Sequence, residues 1–265
     1  MSKKIVILLG LFIFATGLVY SQDDLDEVHL FQNFFRDATI TSNPYGEGYF
    51  NFSSYEYGSS IALAAQGGYG INPNLEVNAA LGFTSFSPEN GDGTSGITDL
   101  YASGRYLVVE QNELRVAAGG FLTLPIGAED AGYGNLDFGA FGALRYAIDN
   151  GMVITGTLGL DFYETTEYEF ETPQIINGQL VGGELKEKTE YKNSLVLAGG
   201  VIYPLQPDLA LVGELMFKTD VDYGMLSGGA DYILQNNGRV RGMLGIGIDD
   251  GAPDIMLQVS YLMGF

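Results

Sequence analysis

The stretch IMLQVSYLMGF, residues 255–265, ends the 265-residue sequence and decides how the rest is read. Ile255, Leu257, Val259, Tyr261, Met263 and Phe265 alternate with Met256, Gln258, Ser260, Leu262 and Gly264. A period of two sends the first set to one face of a β-strand and the second set to the other. The first face is wholly apolar and finishes on a bare aromatic. In a soluble domain such an edge invites aggregation. The last strand of a transmembrane β-barrel, by contrast, needs one face for lipid and one for a lumen. An ordinary buried terminal strand would share the alternation, so the remaining sequence has to separate the two.

Working back from this strand, eleven more alternating runs are found. With residues 254–265 they lie near 48–57, 59–71, 75–86, 97–110, 113–126, 136–148, 152–165, 190–205, 209–219, 222–234 and 239–249. Most are roughly 10 to 14 residues long, the length of a tilted strand crossing a bilayer. Their connections alternate in kind. Asn72-Pro73-Asn74, Gln111-Asn112, Asp149-Asn150-Gly151, Gln206-Pro207-Asp208 and Asn236-Asn237-Gly238 are tight turns. Longer loops fall near 87–96, 127–135 and 166–189, with shorter ones near 58, 220 and 250. Short turns at one end and long loops at the other is the asymmetry of outer-membrane barrels. An even strand number returns the C-terminus to the short-turn, periplasmic end.

A second regularity repeats along the chain. Tyr69-Gly-Ile71, Tyr106-Leu-Val108, Tyr146-Ala-Ile148, Tyr203-Pro-Leu205, Tyr232-Ile-Leu234 and Tyr261-Leu-Met263 each close a strand just before a tight turn or the terminus. Six tyrosines at one height on the lipid face form an aromatic girdle at the periplasmic interface, where an apolar ring and a wet hydroxyl are both at home. A soluble β-sandwich has no reason to place tyrosine on every second strand end. The expected fold is therefore all-β: a transmembrane antiparallel barrel of about twelve strands over residues 47–265, in the outer membrane of a Gram-negative-type bacterium.

Residues 1–22 read as a cleaved signal peptide, with Lys3 and Lys4 before an apolar run and cleavage expected ahead of Gln22. Residues 23–46 lack a clear period and read as a periplasmic or plug segment. Leu25, Val28, Phe31 and Phe35 could line a short helix, or Val28, Leu30 and Gln32 could begin an edge strand. The absence of cysteine excludes a lipoprotein anchor, disulfides and thiolate metal sites. A net charge of −21 disfavours nucleic acid and other polyanions and favours small basic molecules or divalent cations as visitors.

Phasing each run by its apolar face turns Asp99, Arg105, Arg115, Asp137, Arg145, Asp161, Glu214, Asp231, Arg239 and Arg241 toward the lumen, as lining or constriction candidates. Glu76, Asn78, Thr155, Thr157 and Lys218 share that phase, beside small residues such as Gly68, Gly119, Gly139, Ala143 and Gly245. A mid-bilayer arginine or lysine on the lipid face costs about 2–4 kcal/mol, which nearly forces this assignment. Two readings of the interior compete. The arginines could pair with acids and fill it, or they could ring a narrow polar constriction, and the second is favoured. A barrel of about eight strands is filled by its own side chains, and one of about sixteen leaves a wide pore. Twelve lies between.

Three segments carry a family resemblance: Gly67-Gly68-Tyr69-Gly70-Ile71, Gly96-Ile97-Thr98-Asp99-Leu100 with Gly104-Arg105-Tyr106, and Thr123-Leu124-Pro125-Ile126-Gly127. Across roughly residues 59–265 the chain resembles the outer-membrane β-barrel transporters named after the MetA pathway of phenol degradation. It departs at Ile126, where a small polar residue is more usual, and in the acidic loop 166–189. The resemblance implies a barrel that passes small, apolar or aromatic solutes. It names no solute.

His29 is the sole histidine and precedes the first barrel run, so no Ser–His or Asp–His hydrolytic centre can be built on the strands. Glu164, Glu167, Glu169 and Glu171 offer hard oxygens to calcium, yet such a run is more simply a solvated loop face. Gly245-Ile-Gly247 lies within a strand and is not a phosphate loop. No enzyme, cofactor or metal centre is expected. The expected partners are outer-membrane lipid, the barrel-assembly machinery (reading Tyr261 and Phe265) and a small solute. The alternative is a non-transporting structural or surface-interaction barrel whose acidic loops bind a partner.

Overall fold

The computed structural model describes residues 28–41, 43–131, 133–148, 151–170, 174–176, 179–181 and 185–265. The expected signal peptide lies outside them. The strands are β1 (Tyr45–Tyr55), β2 (Gly58–Asn72), β3 (Leu75–Pro88), β4 (Thr94–Ile97), β5 (Leu100–Gln111), β6 (Leu114–Leu124), β7 (Phe138–Ala147), β8 (Val153–Phe170), β9 (Gln174–Ile176), β10 (Gln179–Val181), β11 (Leu185–Gln206), β12 (Leu209–Lys218), β13 (Tyr223–Ile233), β14 (Arg239–Gly247) and β15 (Ile255–Gly264). Thirteen share one antiparallel sheet, in which β4 is a short addition to β3; the other twelve follow one another around a ring. The terminal strand closes that ring, its register with β1 running from Tyr45↔Gly264 to Ser54↔Ile255. No edge of the ring is left unpaired, as a bilayer demands.

Alternation sorts the side chains as the period of two requires. Leu63, Leu81, Leu122, Leu144, Leu158, Leu197, Leu211, Leu226, Leu244 and Leu257, from ten different strands, are exposed on the outer wall. Arg105, Arg145, Arg239, Arg241, Glu76, Glu214 and Asp231 are buried inside. An apolar exterior around a charged interior is a soluble protein inverted, and lipid is the solvent that stabilises it.

Five of the six repeated tyrosines, Tyr69, Tyr106, Tyr146, Tyr203 and Tyr232, are between 44% and 55% exposed at the short-turn end. Tyr261 is more covered, its hydroxyl accepting from Asn236 Nδ2 at 3.2 Å. The register of three pairings slips just past a girdle tyrosine, between Gly70 and Asn72, Leu107 and Val109, and Pro204 and Gln206. Bulges of this kind bend strands at barrel rims. In the tight turns, Asn112 and Asn237 adopt positive φ (48° and 60°), a conformation asparagine tolerates.

The structure moves several expected boundaries. β1 starts at Tyr45, ahead of the expected 48 and 47. The run 97–110 is broken at Thr98 and Asp99 into β4 and β5. The loop expected over 166–189 is largely strand: β8 and β11 stay paired from Ile202↔Val153 out to Leu185↔Phe170. Beyond the bilayer both faces of a strand meet water, so this extension carries no apolar face to be read. The side chains of Glu167, Glu169 and Glu171 lie outside the described residues.

Residues 28–41 form neither of the expected elements. They make turns between 31 and 38, inside the barrel.

Two measurements check this architecture. Folded barrel should migrate differently on gels before and after boiling. Phe265, whose amide donates to Pro44 O at 2.8 Å, should be needed for efficient closure of the ring. Its deletion, or polar substitution of Tyr261 and Phe265, should lower the membrane-inserted, heat-modifiable fraction severalfold; unchanged levels would contradict the assignment.

Candidate functional site in the barrel lumen

An irregular segment inside a barrel has backbone groups that no ladder satisfies, and each needs a partner. The inward charges of the strands supply them. Glu214 on β12 accepts from two successive amides, Phe31 N and Gln32 N, the latter at 2.9 Å. Glu76 on β3 accepts from Thr41 N at 2.7 Å. Arg145 on β7 donates to Val28 O at 3.1 Å, and Arg105 on β5 to Asp37 O at 3.2 Å. Arg241 on β14 donates to His29 O. Thr157 on β8 bonds Arg36 O and takes a hydrogen bond from Asn33 at 2.6 Å.

The same charges form ion pairs. Arg105 meets Glu76 at 2.6 Å, and Arg241 meets Glu47 at 2.7 Å and Asp231 at 3.0 Å. Arg239 reaches Asp231 at 3.4 Å. These pairs lie within the wall. Two others cross from wall to segment: Arg145 to Asp37 at 2.7 Å, and Arg36 to Asp161 at 2.9 Å. Arg36 donates to both oxygens of Asp161 and caps the ring of Phe121 at 4.4 Å.

Apolar contacts complete the seating. Val28, Leu30 and Phe31 pack with Val153, Ile202, Ala210, Val212 and Met243, and Phe34 and Phe35 pack with Tyr45 and Leu262. Small residues make the room. A Cβ on Gly200 would meet Leu30 at 2.8 Å, and one on Gly229 would meet Phe31 at 2.6 Å.

His29 is buried, stacked on Phe34 (4.5 Å between centroids) and Tyr45 (4.9 Å). Its Nδ1 has no hydrogen-bond partner among the described residues. Burial, then the charges of Arg105, Arg241, Arg145 and Arg239, hold its imidazole well below the ordinary 6.5.

Not every inward candidate joins this network. Asp99 ties down the loop after β6, accepting from the amides of Gly127, Gly134 and Asn135. Asp137 accepts from Glu164 N at 3.1 Å near the same rim. Arg115 sits half-exposed at the short-turn end, paired with Glu110 at 3.1 Å. The lumen itself differs from the favoured open constriction, because its central level holds residues 28–41 among the paired arginines. Sequence reading missed Asn33, Arg36, Asp37, Glu47, Gly200 and Gly229. Glu47 could have been found by extending the β1 phase toward Tyr45; the segment residues have no period to find.

Toward the long-loop end the lumen opens into a vestibule of about 440 Å³. Phe31 to Arg36 line its floor, and Tyr49, Tyr101, Met216, Lys218, Tyr223, Met256 and Gln258 line its walls.

A closed, lipid-facing β-ring around a polar lumen defines an outer-membrane β-barrel. The chain belongs to the family described as "Putative MetA-pathway of phenol degradation", whose sequence profile matches residues 46–256. Among solved structures it is similar to an outer membrane channel from Pseudomonas putida F1, at 14% identity and a TM-score of 0.62, over 87% of this chain and 98% of that one. The KdgM porin in complex with disordered oligogalacturonate aligns at 11% identity and a TM-score of 0.54, over 83% of this chain and 99% of the porin. The beta domain of a Bordetella autotransporter aligns at 12% identity and a TM-score of 0.53, over 85% and 100%. At these identities the likeness is one of fold. No curated protein sequence matches the chain.

Two outcomes test the seating of the segment. Arg145→Met strands the buried Asp37 and should cost about 3–5 kcal/mol in urea unfolding; adding Asp37→Asn should recover part of it. The second concerns pH. Since the folded His29 binds its proton more weakly than the unfolded one, its contribution is whole above 6.5 and is lost as pH falls below that value. His29→Phe should therefore unfold with a shallower loss of stability on acidification; an unchanged slope would remove His29 from the account.

Proposed function

We propose that the protein passes small solutes, apolar and aromatic compounds in particular, across the outer membrane through this lumen, with residues 28–41 as the element that must yield. The observation that carries the reading is the vestibule. It is a concave space of about 440 Å³ at the long-loop end, where aromatic and methionine side chains are interleaved with almost as many polar and charged ones, Asn51, Gln66 and Gln258 among them. Volumes of that order are typical of small-molecule sites. The family description supports an aromatic class of solute. The similarity to an outer membrane channel supports a barrel that conducts.

The floor of the vestibule is also what closes it. Hydrogen bonds that the floor donates to Glu214 and Thr157 hold it in place, and each of them can be replaced by water once the lumen floods. A second reading, a non-transporting interaction barrel, draws on the completeness of the ion pairing at mid-lumen. It leaves the vestibule without a purpose.

Uptake into liposomes and conductance in planar bilayers decide between them. The intact barrel should admit small aromatic compounds while conducting ions feebly. Deleting residues 28–41 should raise conductance severalfold, and Arg105→Ala or Arg145→Ala should shift its ion preference. Failure to take up any solute, with or without the segment, would favour the interaction barrel.

A further inference from the structure

The vestibule contains a charge that its own walls do not match. Lys218 is the last residue of β12, and its ammonium lies 5.7 Å from the centroid of the Tyr223 ring. Among the described residues no hydrogen bond or ion pair of that ammonium is found. It feels the like charge of Arg36 first, and the two carboxylates whose charge also reaches it, Asp161 and Asp137, are engaged elsewhere. Asp161 is held by both nitrogens of the Arg36 fork, and Asp137 accepts from the Glu164 amide. The other cation on the lining, Arg36, is thereby neutralised. Lys218 is not.

We infer that the vestibule is a binding subsite for a small planar aromatic anion, an aromatic carboxylate being the type, with the Lys218 ammonium taking the anionic group. This deepens the passage reading and rests on it. Cations in partly buried sites call for a partner, and a ligand carboxylate supplies one through a charge-assisted hydrogen bond. The aromatic part of the ligand is called for by the lining, where Phe31, Tyr49 and Tyr223 stand beside Tyr101, itself stacked between Phe35 and Phe121. Met216 and Met256 offer polarizable sulfur to a ring edge.

Other classes fit less well. A divalent cation meets Lys218 with like charge, despite the acidity of the chain as a whole. A neutral hydrocarbon contacts the aromatic wall and leaves the ammonium unmatched. An uncharged polyol wastes the aromatic and methionine surfaces.

The test is isothermal titration calorimetry on the refolded barrel in detergent, comparing benzoate with its neutral counterpart benzyl alcohol. Wild-type protein should bind benzoate saturably and more tightly than benzyl alcohol. Lys218→Met should weaken benzoate by about tenfold or more, the loss expected for one charge-assisted hydrogen bond, and leave benzyl alcohol unchanged. Lys218→Arg should retain benzoate within a few fold, and the heat-modifiable gel shift of both variants would show that they fold. Equal affinity for the two ligands, benzoate binding indifferent to Lys218→Met, or no saturable benzoate binding would each overturn the inference. Liposome uptake separates this from the passage reading. Uptake of neutral aromatics without benzoate binding sinks the subsite alone, and benzoate binding without any uptake sinks passage alone.

Discussion

The rule that no buried backbone N–H or C=O goes without a partner governs the inside of this barrel. A strand in the wall meets it through its two neighbours. Residues 28–41 have no neighbours of that kind, so their amides and carbonyls are met by side chains from β3, β5, β7, β8, β12 and β14. Acids meet the amides and arginines meet the carbonyls. The mixed-sign interior follows from that division of labour. Burying those charges would be ruinous singly, and it is tolerable because each arginine also faces a carboxylate.

Shape obeys the same logic as charge. The segment carries Leu30, Phe31, Phe34 and Phe35 into a ring already lined by side chains, and interiors tolerate little overlap. Gly200 and Gly229 are placed where Leu30 and Phe31 press on the wall. A glycine in a strand interior weakens the strand, and here the loss is offset by apolar packing that a larger residue would forbid.

How much of this was legible depended on which solvent each face meets. Lipid tolerates one kind of side chain, so the outer face of every spanning strand kept a clean period of two, and ten leucines mark it. Where β8 and β11 rise past the bilayer, water bathes both faces and the period fades; the sequence there looked like a loop. Inward phase was readable for Arg105, Arg145, Arg241, Glu214 and Asp231 because the lipid face excluded them. Phase says nothing of height or partner. Asp99 and Asp137 share it and bind loop backbone at the rim, and Arg115 shares it at the opposite rim. The segment itself was opaque for a plainer reason. Its conformation is dictated by partners scattered from Glu76 to Arg241, and an irregular chain leaves no period of its own.

The division of ion pairs bears on how such a lumen could open. Glu76 with Arg105, and Glu47 with Arg241 and Asp231, connect strand to strand and would persist if the segment withdrew. Arg145 with Asp37, Arg36 with Asp161, and the Glu214 carboxylate on two amides join wall to segment and would have to break. Every group freed in that second set is strongly hydrated, so water entering the lumen recovers much of what the contacts supplied. The apolar contacts of Val28, Leu30 and Phe31 have no such compensation. The same holds for Phe34 and Phe35 against Tyr45 and Leu262, so the resistance to opening resides chiefly in these hydrophobic side chains, while the charges set where the segment sits. A solute acting from the vestibule would meet the segment near Arg36, whose ion pair with Asp161 is a contact that water replaces more readily than the packing of the adjacent Phe35.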